Sequence, residues 1–431
     1  MTPAARLSAA IEIFEAITDR RRPAPEALKE WGQSHRFAGS KDRVGIASLV
    51  YDALRVRESA AWIMGSDKPR PVLLGALARA RGMSVDQISA LCNGERFAQL
   101  PLTDFERGRL TELSMEHATL STRADMPEWL EGSLSSVFGD DFIQEGEALA
   151  ARAPVDVRVN ILKISREKAM ESLAHLSPEV TPWSPWGLRI PLGSDGRGPA
   201  LQAEPAYAKG QVEVQDEGSQ LAALMSGAAA GMQVLDLCAG GGGKTLALAA
   251  MMDNLGQIYA TDSDGRRLMP IYDRLERAGA RNVQVRAPKG EQDILADLEN
   301  RCDIVVVDAP CTGSGTWRRN PDAKWRTRPG ALEQRVKEQD EVLDRAVKYL
   351  KVGGALLYVT CSVLREENED RTGAFLTRHA NFLPRDAAHM AKSAGLPDLA
   401  ARASRFGAGL RLSPFTTGTD GFYIAVLVKG A

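Results

Sequence analysis

Two cysteines stand directly after two apolar runs in the second half of this sequence. Asp303–Val307 is a β-branched run typical of a strand buried on both faces, and Asp308 and Cys311 follow it, separated by an alanine and a proline. A second such run ends at Cys361. In open α/β sheets ligands bind beyond the carboxyl ends of the strands. The pattern predicts that one acid and two thiols converge on a single substrate.

Methylation of a pyrimidine ring at carbon 5 is chemistry that needs such a set. Carbon 5 is a poor nucleophile until a thiolate adds to carbon 6, and a base must later remove the carbon 5 proton. Each cysteine alone would more often be a small buried hydrophobe, so the inference rests on their joint placement. Cys92, Cys238 and Cys302 lack this placement and are interpreted as structural or loop-packing residues.

A glycine-rich loop follows the first strand of the same region. Cys238-Ala239-Gly240-Gly241-Gly242-Gly243-Lys244 permits a tight turn and close approach of backbone to a small molecule. Asp262, after the next strand, stands where an acid commonly binds a cofactor ribose. These residues predict a nucleoside cofactor but do not by themselves separate NAD from S-adenosylmethionine. A nucleoside triphosphate is disfavoured, because Cys238 occupies the position of the first phosphate-loop glycine.

A basic, aromatic tract, Trp317–Arg328, comes soon after the first thiol. It includes Arg318, Arg319, Lys324, Trp325, Arg326 and Arg328. Its cations could neutralise phosphates, and a tryptophan could stack on a base that has left its own stack. The alternative is a solvated basic loop whose tryptophans belong to the core.

The elements that must position these residues follow three patterns. Residues 3–120 show helical spacing, which indicates either an accessory bundle or an RNA-docking module. Residues 127–220 mix helical and strand signals. From residue 231 onward strands alternate with helices, and this predicts a doubly wound, mainly parallel sheet.

Composition is that of an ordinary soluble protein. The 431 residues are 44% hydrophobic and 26% charged, with a formal net charge of −2, so an RNA-binding surface would have to be a local patch. Five irregularly spaced cysteines and five histidines favour free thiols in a reducing cytoplasm over disulfides or a metal site. No apolar span of ~20 residues predicts a membrane helix, and we expect a monomer.

The sequence resembles the Sun/Fmu (RsmB-like) family of S-adenosylmethionine-dependent RNA cytosine-5 methyltransferases, particularly its bacterial ribosomal RNA branch. The segments that carry the resemblance over nearly the whole chain are Ser40-Lys41-Asp42-Arg43, Arg158-Val159-Asn160, Gln215–Gln220, Val234–Thr245, Asp308–Cys311, Asn320–Trp325, Thr360-Cys361-Ser362, Glu366-Glu367-Asn368 and Gly418–Tyr423. The resemblance implies an N-terminal all-α NusB-like RNA-binding domain over residues 1–122 and a small α+β substrate-side subdomain over 123–220. A Rossmann-like catalytic domain is expected over 221–431.

The resemblance also implies site roles. Cys361 would be the nucleophile, Cys311 would assist product release, and Asp308 would contact the cytosine edge close to the methyl donor. The residues expected to hold S-adenosylmethionine are Cys238, Ala239, Gly240, Gly241, Gly242, Gly243, Lys244, Asp262 and Asp308, and those expected to contact RNA are Arg318, Arg319, Lys324 and Trp325. The expected partner is ribosomal RNA, with neither metal nor membrane.

Two departures from the family pattern stand out. Gly240-Gly241 replaces part of the usual Ala-Pro-Gly-Gly-Lys loop. The third strand is followed by Arg286-Ala287-Pro288-Lys289, where the family has an acid on the adenosine side, so Glu291, Asp293 or backbone and water must substitute. Two other functions stay open: the same chemistry on transfer RNA, and a non-catalytic RNA-binding ribosome-assembly factor on this fold. A small-molecule methyltransferase is disfavoured by the basic and helical regions.

Overall fold

The computed structural model describes residues 1–20, 22–193, 196–290 and 292–431. Its α-helices are α1 (Pro3–Thr18), α2 (Ala24–Ser34), α3 (Ser40–Arg55), α4 (Arg57–Met64), α5 (Pro69–Arg81), α6 (Val85–Leu91), α7 (Asp104–Glu112), α8 (Leu120–Arg123), α9 (Glu131–Phe138), α10 (Phe142–Ala150), α11 (Arg166–Ser172), α12 (Pro205–Ala208), α13 (Glu217–Met225), α14 (Gly243–Met251), α15 (Gly265–Ala278), α16 (Pro321–Arg326), α17 (Pro329–Ala346), α18 (Glu369–Arg378), α19 (Ala387–Ser393) and α20 (Pro414–Thr417). Its strands are β1 (Val155–Val159), β2 (Glu179–Val180), β3 (Gly187–Ile190), β4 (Val212–Val214), β5 (Gln233–Asp236), β6 (Gln257–Ala260), β7 (Val283–Val285), β8 (Cys302–Asp308), β9 (Leu350–Thr360), β10 (Phe382–Pro384), β11 (Leu410–Leu412) and β12 (Phe422–Lys429).

The chain divides into two compact units. The first, here called the helical unit, contains residues 1–151 and 316–328, and the second, the sheet unit, contains residues 152–315 and 329–431. The predicted boundary at residue 122 falls inside the helical unit, and the predicted boundary at residue 220 falls inside the sheet unit. The basic tract Trp317–Arg328 lies entirely in the helical unit, whereas three consecutive domains were expected.

The helical unit consists of α1–α10 and α16, and the residues described in it form no strand. Apolar side chains at helical spacing, including Leu7, Phe14 and Val50, are fully buried in its core. Ser84 and Thr103 each start a helix with a reciprocal capping box, which satisfies backbone N–H groups at the helix end. The all-helical prediction for residues 3–120 is confirmed.

The sheet unit is built on one large mixed sheet. Its strand order is β10-β12-β9-β8-β5-β6-β7, with β11 beside β12, and β9, β8, β5, β6 and β7 run parallel. Ile304 and Val306 of β8 enter the apolar cluster on one face, and Val305 and Val307 enter the cluster on the other. Burial on both faces explains the unbroken β-branched run. The predicted doubly wound, mainly parallel sheet is confirmed.

The chain reverses direction across this sheet between β5 and β8. From β5 the chain moves outward to β6 and β7, and it then returns to β8 on the other side of β5. The loop after β5 and the segment after β8 therefore leave neighbouring strands at the same edge. A crevice at such a switch point is where ligands bind in doubly wound folds.

A second, antiparallel sheet of order β2-β3-β1-β4 lies within the sheet unit. Val157 of β1 is paired with Leu188 on one side and Val214 on the other. Val157 and Leu188 are fully buried, as alternating patterns predict for a sheet with one covered face. Residues 155–159, 187–190 and 212–214 are thus strands within the region 127–220, where mixed helical and strand signals were predicted.

Candidate active site

The two cysteines that follow β8 and β9 meet in the structure. These strands pair in parallel with Asp308 opposite Val359, so the chain segments beyond them leave the sheet side by side. The Sγ atoms of Cys311 and Cys361 are 3.4 Å apart, and both residues are half-buried. Parallel pairing turns a separation of 50 positions into a contact. The predicted convergence of the two thiols is therefore present.

The contact with Cys361 affects the pKa of Cys311. The hydrogen bond to Cys361 raises the pKa of the Cys311 thiol well above its ordinary value, and burial adds to the effect. Either sulfur can be the S–H donor of this contact. Since a thiolate is the nucleophilic form of cysteine, the raised pKa makes Cys311 a poor nucleophile in this state.

Asp308 forms an ion pair at the end of β8. Its carboxylate Oδ2 is 2.8 Å from the ammonium of Lys244, which comes from the start of α14. Lys244 is 7% exposed, and its ammonium also lies 5.4 Å from the centroid of the Phe422 ring. The lysine of the glycine loop is thus ion-paired with Asp308, the acid predicted to contact the cytosine. Its ammonium places one positive charge beside Asp308, at the end of the strand that leads to Cys311.

The glycine loop has the tight geometry that its sequence predicts. Gly240 and Gly242 have φ values of 50° and 81°, in the left-handed region. A Cβ added at Gly242 would lie 2.5 Å from the Ile271 side chain, so this position requires glycine. The Gly240 N–H donates a 3.0 Å hydrogen bond to Oδ2 of Asp262. The loop after β5 and the acid after β6 therefore form one connected wall.

Arg158 of β1 supports this wall from the second sheet. It is 3% exposed, and its guanidinium donates a 2.9 Å hydrogen bond to the carbonyl of Gly243 and a second bond to Gln215. Burial lowers its pKa to about 10. The family segment around Arg158 was interpreted as part of a substrate-side subdomain, and its role in holding the loop was not predicted.

A cavity of about 430 Å³ adjoins the wall. Its lining comes from Leu237, Cys238, Asp262, Ser263, Arg267, Pro310, Arg335, Glu338, Glu341, Val342 and Arg345. Cys238 and Asp262 were predicted to bind the cofactor, whereas the α17 side chains from Arg335 to Arg345 were missed. Their signal is weak in the sequence, because they look like the charged face of an ordinary surface helix. The volume and the mixture of carboxylates and guanidinium groups fit a nucleoside with a charged amino-acid tail.

The third strand end does not supply the acid that the family pattern has there. Arg286 is ion-paired with Asp297, and its guanidinium lies 4.6 Å from the centroid of the Tyr259 ring. Asp293, one of the expected substitutes, accepts hydrogen bonds from Lys348 and from the Leu295 N–H and does not line the cavity. Glu291, the other, lies outside the described residues. The acidic groups that line the cavity are Asp262 and the α17 carboxylates Glu338 and Glu341.

The basic tract is partly buried. Trp317, Arg318 and Lys324 are 0%, 5% and 1% exposed. The Lys324 ammonium donates to the Arg55 carbonyl, and the Trp325 indole N–H donates to the Leu54 carbonyl, so both cap the carboxyl end of α3. Burial within the helical unit withdraws Arg318 and Lys324 from solvent, whereas Trp325 is half-buried, and RNA contacts by these three residues stay predictions. Arg319 is half-buried, and Arg326 and Arg328 are exposed.

The three other cysteines, Cys92, Cys238 and Cys302, are free thiols. Cys92 and Cys302 are buried, and burial raises the pKa of Cys302 to about 12, which suits a core residue. Burial also raises the pKa of Cys238. Among the residues that the structure describes, no group of three or more possible metal ligands is present. In the same part of the chain, no helix is long and apolar enough to cross a membrane.

Known proteins resemble this chain along almost all of its length. The model of the family described as 16S rRNA methyltransferase RsmB/F matches residues 225–428, and a RsmF/B-like ferredoxin-like domain matches residues 126–194. The ribosomal RNA small subunit methyltransferase B of Enterobacter sp. (strain 638) is 32% identical over 94% of this chain and 97% of its own. The protein of the same description from Shigella flexneri is 31% identical with the same coverage.

A solved structure supports the same fold. The methyltransferase homolog protein from Pyrococcus horikoshii is 26% identical, with a TM-score of 0.58. The match covers 73% of this chain and 99% of that protein.

Proposed function

The chain belongs to the 16S rRNA methyltransferase RsmB/F family, and we propose that it methylates carbon 5 of a cytosine in small-subunit ribosomal RNA. The observation that carries the proposal is the 3.4 Å contact between Sγ of Cys311 and Sγ of Cys361. Methylation at carbon 5 needs one thiolate to add to the ring and a second group to help release the product. Two half-buried thiols beside an acid supply both.

The methyl donor is S-adenosylmethionine, and the sheet unit offers a site that fits it. The Gly240–Gly243 turn and the Asp262 carboxylate form the wall, and the α17 side chains line the opposite part of the cavity. When bound, S-adenosylmethionine supplies a methyl group on a positively charged sulfur, which the activated carbon 5 can attack. Asp262 is 3% exposed and is suited to bind the ribose hydroxyls.

Cys361 performs the first step in this proposal. Its thiolate adds to carbon 6 of cytosine, a C–S bond forms, and the electron pair of the 5,6 double bond makes carbon 5 nucleophilic. In this proposal Cys311 donates its S–H to the Cys361 sulfur, 3.4 Å away, and so orients the attacking atom. In this proposal Asp308 at the end of β8 forms a hydrogen bond with the cytosine edge, and the ion pair with Lys244 holds that carboxylate.

Cys311 assists release of the methylated base. Once the Cys361 sulfur is a thioether, it no longer accepts the Cys311 proton as a thiolate would, so the largest cause of the raised Cys311 pKa is lost. Cys311 can then give its proton to water and accept the proton of carbon 5. The C–H electron pair restores the 5,6 double bond, and the C–S pair returns to Cys361. Overall, one proton reaches solvent for each methyl group transferred.

The RNA surface of the tract is narrower in this proposal than the sequence suggested. Arg326 and Arg328 are exposed and can neutralise phosphates, and half-buried Arg319 lies in the same tract. Lys324 and Trp325 contribute indirectly, by fixing α16 against α3 within the helical unit.

The test is transfer of labelled methyl groups from S-adenosylmethionine to unmodified small-subunit ribosomal RNA. The wild type is expected to label cytosine at carbon 5, Cys361→Ala to label none, and Cys311→Ala to accumulate a covalent protein–RNA adduct on denaturing gels. Unmodified transfer RNA is the parallel substrate, and efficient labelling there alone would overturn the ribosomal assignment. Absence of labelling in both RNAs would overturn the enzymatic proposal.

A further inference from the structure

Glu367 contacts the residue that follows Cys311. Its Oε1 accepts a 2.8 Å hydrogen bond from the backbone N–H of Thr312, and its Oε2 accepts a 2.6 Å bond from the Thr312 hydroxyl. The Tyr358 hydroxyl of β9 donates a 2.6 Å bond to the Glu367 carbonyl, which ties the backbone of this residue to the sheet. The segment after Cys311 is therefore anchored to a fixed carboxylate.

Gln339 of α17 contacts the residue that precedes Cys311. Its amide Nε2 donates a 2.9 Å hydrogen bond to the Pro310 carbonyl and a 3.1 Å bond to Oε1 of Glu367. Gln339 and Glu367 are both 0% exposed. Cys311 is thus held from both sides, through Pro310 and Thr312, by one buried pair.

Asn368 does the same for the other thiol. Its Nδ2 donates a 2.9 Å hydrogen bond to the carbonyl of Ser362, and its Oδ1 accepts a bond from the Thr360 hydroxyl. Asn368 is 0% exposed. Thr360 and Ser362 are the two neighbours of Cys361, and Asn368 holds both of them. Glu367 holds the segment after Cys311 and also receives a hydrogen bond from Ser362.

A buried carboxylate such as that of Glu367 lowers stability unless hydrogen bonds satisfy it. Burial raises its pKa, and hydrogen bonds from Ser362, Thr312 and Gln339 oppose that shift. An apolar side chain would avoid the cost but could not accept the two Thr312 bonds.

We propose that Glu367 and Asn368 are positioning residues that set the separation of the two reactive thiols. Glu367, with Gln339, positions Cys311 for product release, and Asn368 positions Cys361 for addition to carbon 6. The inference rests on the proposed function, since it divides the two steps of that reaction between two neighbouring residues.

The test compares the first turnover with steady-state turnover on unmodified small-subunit ribosomal RNA. Glu367→Leu is expected to keep the first methyl transfer within about threefold of wild type. Its steady-state rate should fall by about 10- to 100-fold, with accumulation of the covalent adduct, because a displaced Cys311 slows release. Thr312→Val, which removes only the hydroxyl donor, should show a smaller effect in the same direction.

Asn368→Ala should show the opposite pattern. Its first turnover is expected to slow by about 10- to 100-fold with no accumulation of adduct, because a displaced Cys361 adds to the ring less often. A purely structural role for either residue would lower the first and later turnovers together and would give both variants the same adduct level.

Glu367→Gln and Glu333→Gln complete the design. A glutamine at 367 can accept from the Thr312 N–H and donate to its hydroxyl oxygen, so it should restore turnover to near wild type. Glu333 is exposed on α17, and its substitution should change nothing. The inference would be overturned if Glu367→Leu and Asn368→Ala lost first and later turnovers to the same extent. Wild-type turnover in Glu367→Leu would also overturn it. Failure of the wild type to label RNA would instead overturn the proposed function.

Discussion

Residues 308–315 and 316–328 are consecutive in the chain, yet they use their polar side chains in opposite ways. In the first stretch, the Cys311 thiol contacts the Cys361 thiol, and the neighbours of Cys311 form hydrogen bonds with buried side chains. In the second, Lys324 and Trp325 donate hydrogen bonds to carbonyls at the end of α3. A reactive residue type acts on a ligand only where the fold leaves its donor or acceptor unused by structure.

The two stretches also differ in the free-energy cost of burying their polar side chains. The thiols of Cys311 and Cys361 are weakly polar and can be half-buried at small cost. Lys324 is an ammonium group at 1% exposure, and burial lowers its pKa to about 8. Asp125 of the same unit is 4% exposed, accepts hydrogen bonds from the N–H and hydroxyl of Ser59, and partly offsets that effect on Lys324.

The largest effect is expected at the first stretch. Cys361→Ala removes the nucleophile and should lower methyl transfer by about 10⁴-fold or more. The matched control is Cys302→Ala, since Cys302 is a buried cysteine of β8 and should leave the rate near wild type. Rates of label transfer to ribosomal RNA measure both, and substantial activity in Cys361→Ala would reverse the assignment of the two thiols.

A stability effect is expected at the second stretch. Lys324→Met keeps the volume of the side chain but leaves Asp125 buried without its nearby cation, and it removes the donor to Arg55. The free energy of unfolding should fall by about 3 kcal/mol, as measured by urea denaturation. Arg328→Met, in the exposed part of the tract, should change it by less than about 0.5 kcal/mol. Equal stability of the two variants would contradict the structural reading of Lys324.

The pH dependence of stability sharpens the same contrast. Burial raises the pKa of Asp125 from 3.8 to about 6, so between these values the folded state binds more protons than the unfolded state. The free energy of unfolding should therefore fall as the pH rises from 4 to 6, by up to about 3 kcal/mol from this group. Asp125→Asn should remove this slope, and asparagine tolerates the φ of 51° found there. If burial does not raise the pKa of Asp125, the free energies of unfolding of the wild type and Asp125→Asn will change in parallel with pH across this range.

The smallest effect concerns RNA affinity. Arg328→Ala should weaken binding of ribosomal RNA a few-fold and reduce the slope of log K against log salt by about 1, without a change in stability. A filter-binding titration at several salt concentrations measures this. An unchanged slope would show that the exposed end of the tract does not contact phosphate.

Much of the fold was predictable because its signals are local. The helices of residues 3–120, the strands around Val157 and Leu188, and the alternating elements after residue 231 all follow hydrophobic periodicity. The grouping of residues 316–328 with the helical unit was not predictable, since the contacts of Lys324 and Trp325 with the end of α3 join positions about 270 residues apart.

The candidate site divides in the same way. The glycine loop, Asp262 and the thiols were predicted from strand ends, because parallel strands deliver their carboxyl ends to one edge. The cavity face of α17 and the support by Arg158 were not, because charged residues on a helix and a strand look alike whether they face solvent or a cavity.

By itself the sequence determined which residues could react and that they stand at strand ends, since residue type and the end of an apolar run are local properties. Tertiary structure decided which polar groups stay available for chemistry. It joined Cys311 to Cys361, directed Lys244 to Asp308, and withdrew Lys324 into the helical unit. The physical reason is that a hydrogen bond or ion pair is made between groups distant in the chain, and only the folded arrangement shows which partner each group has taken.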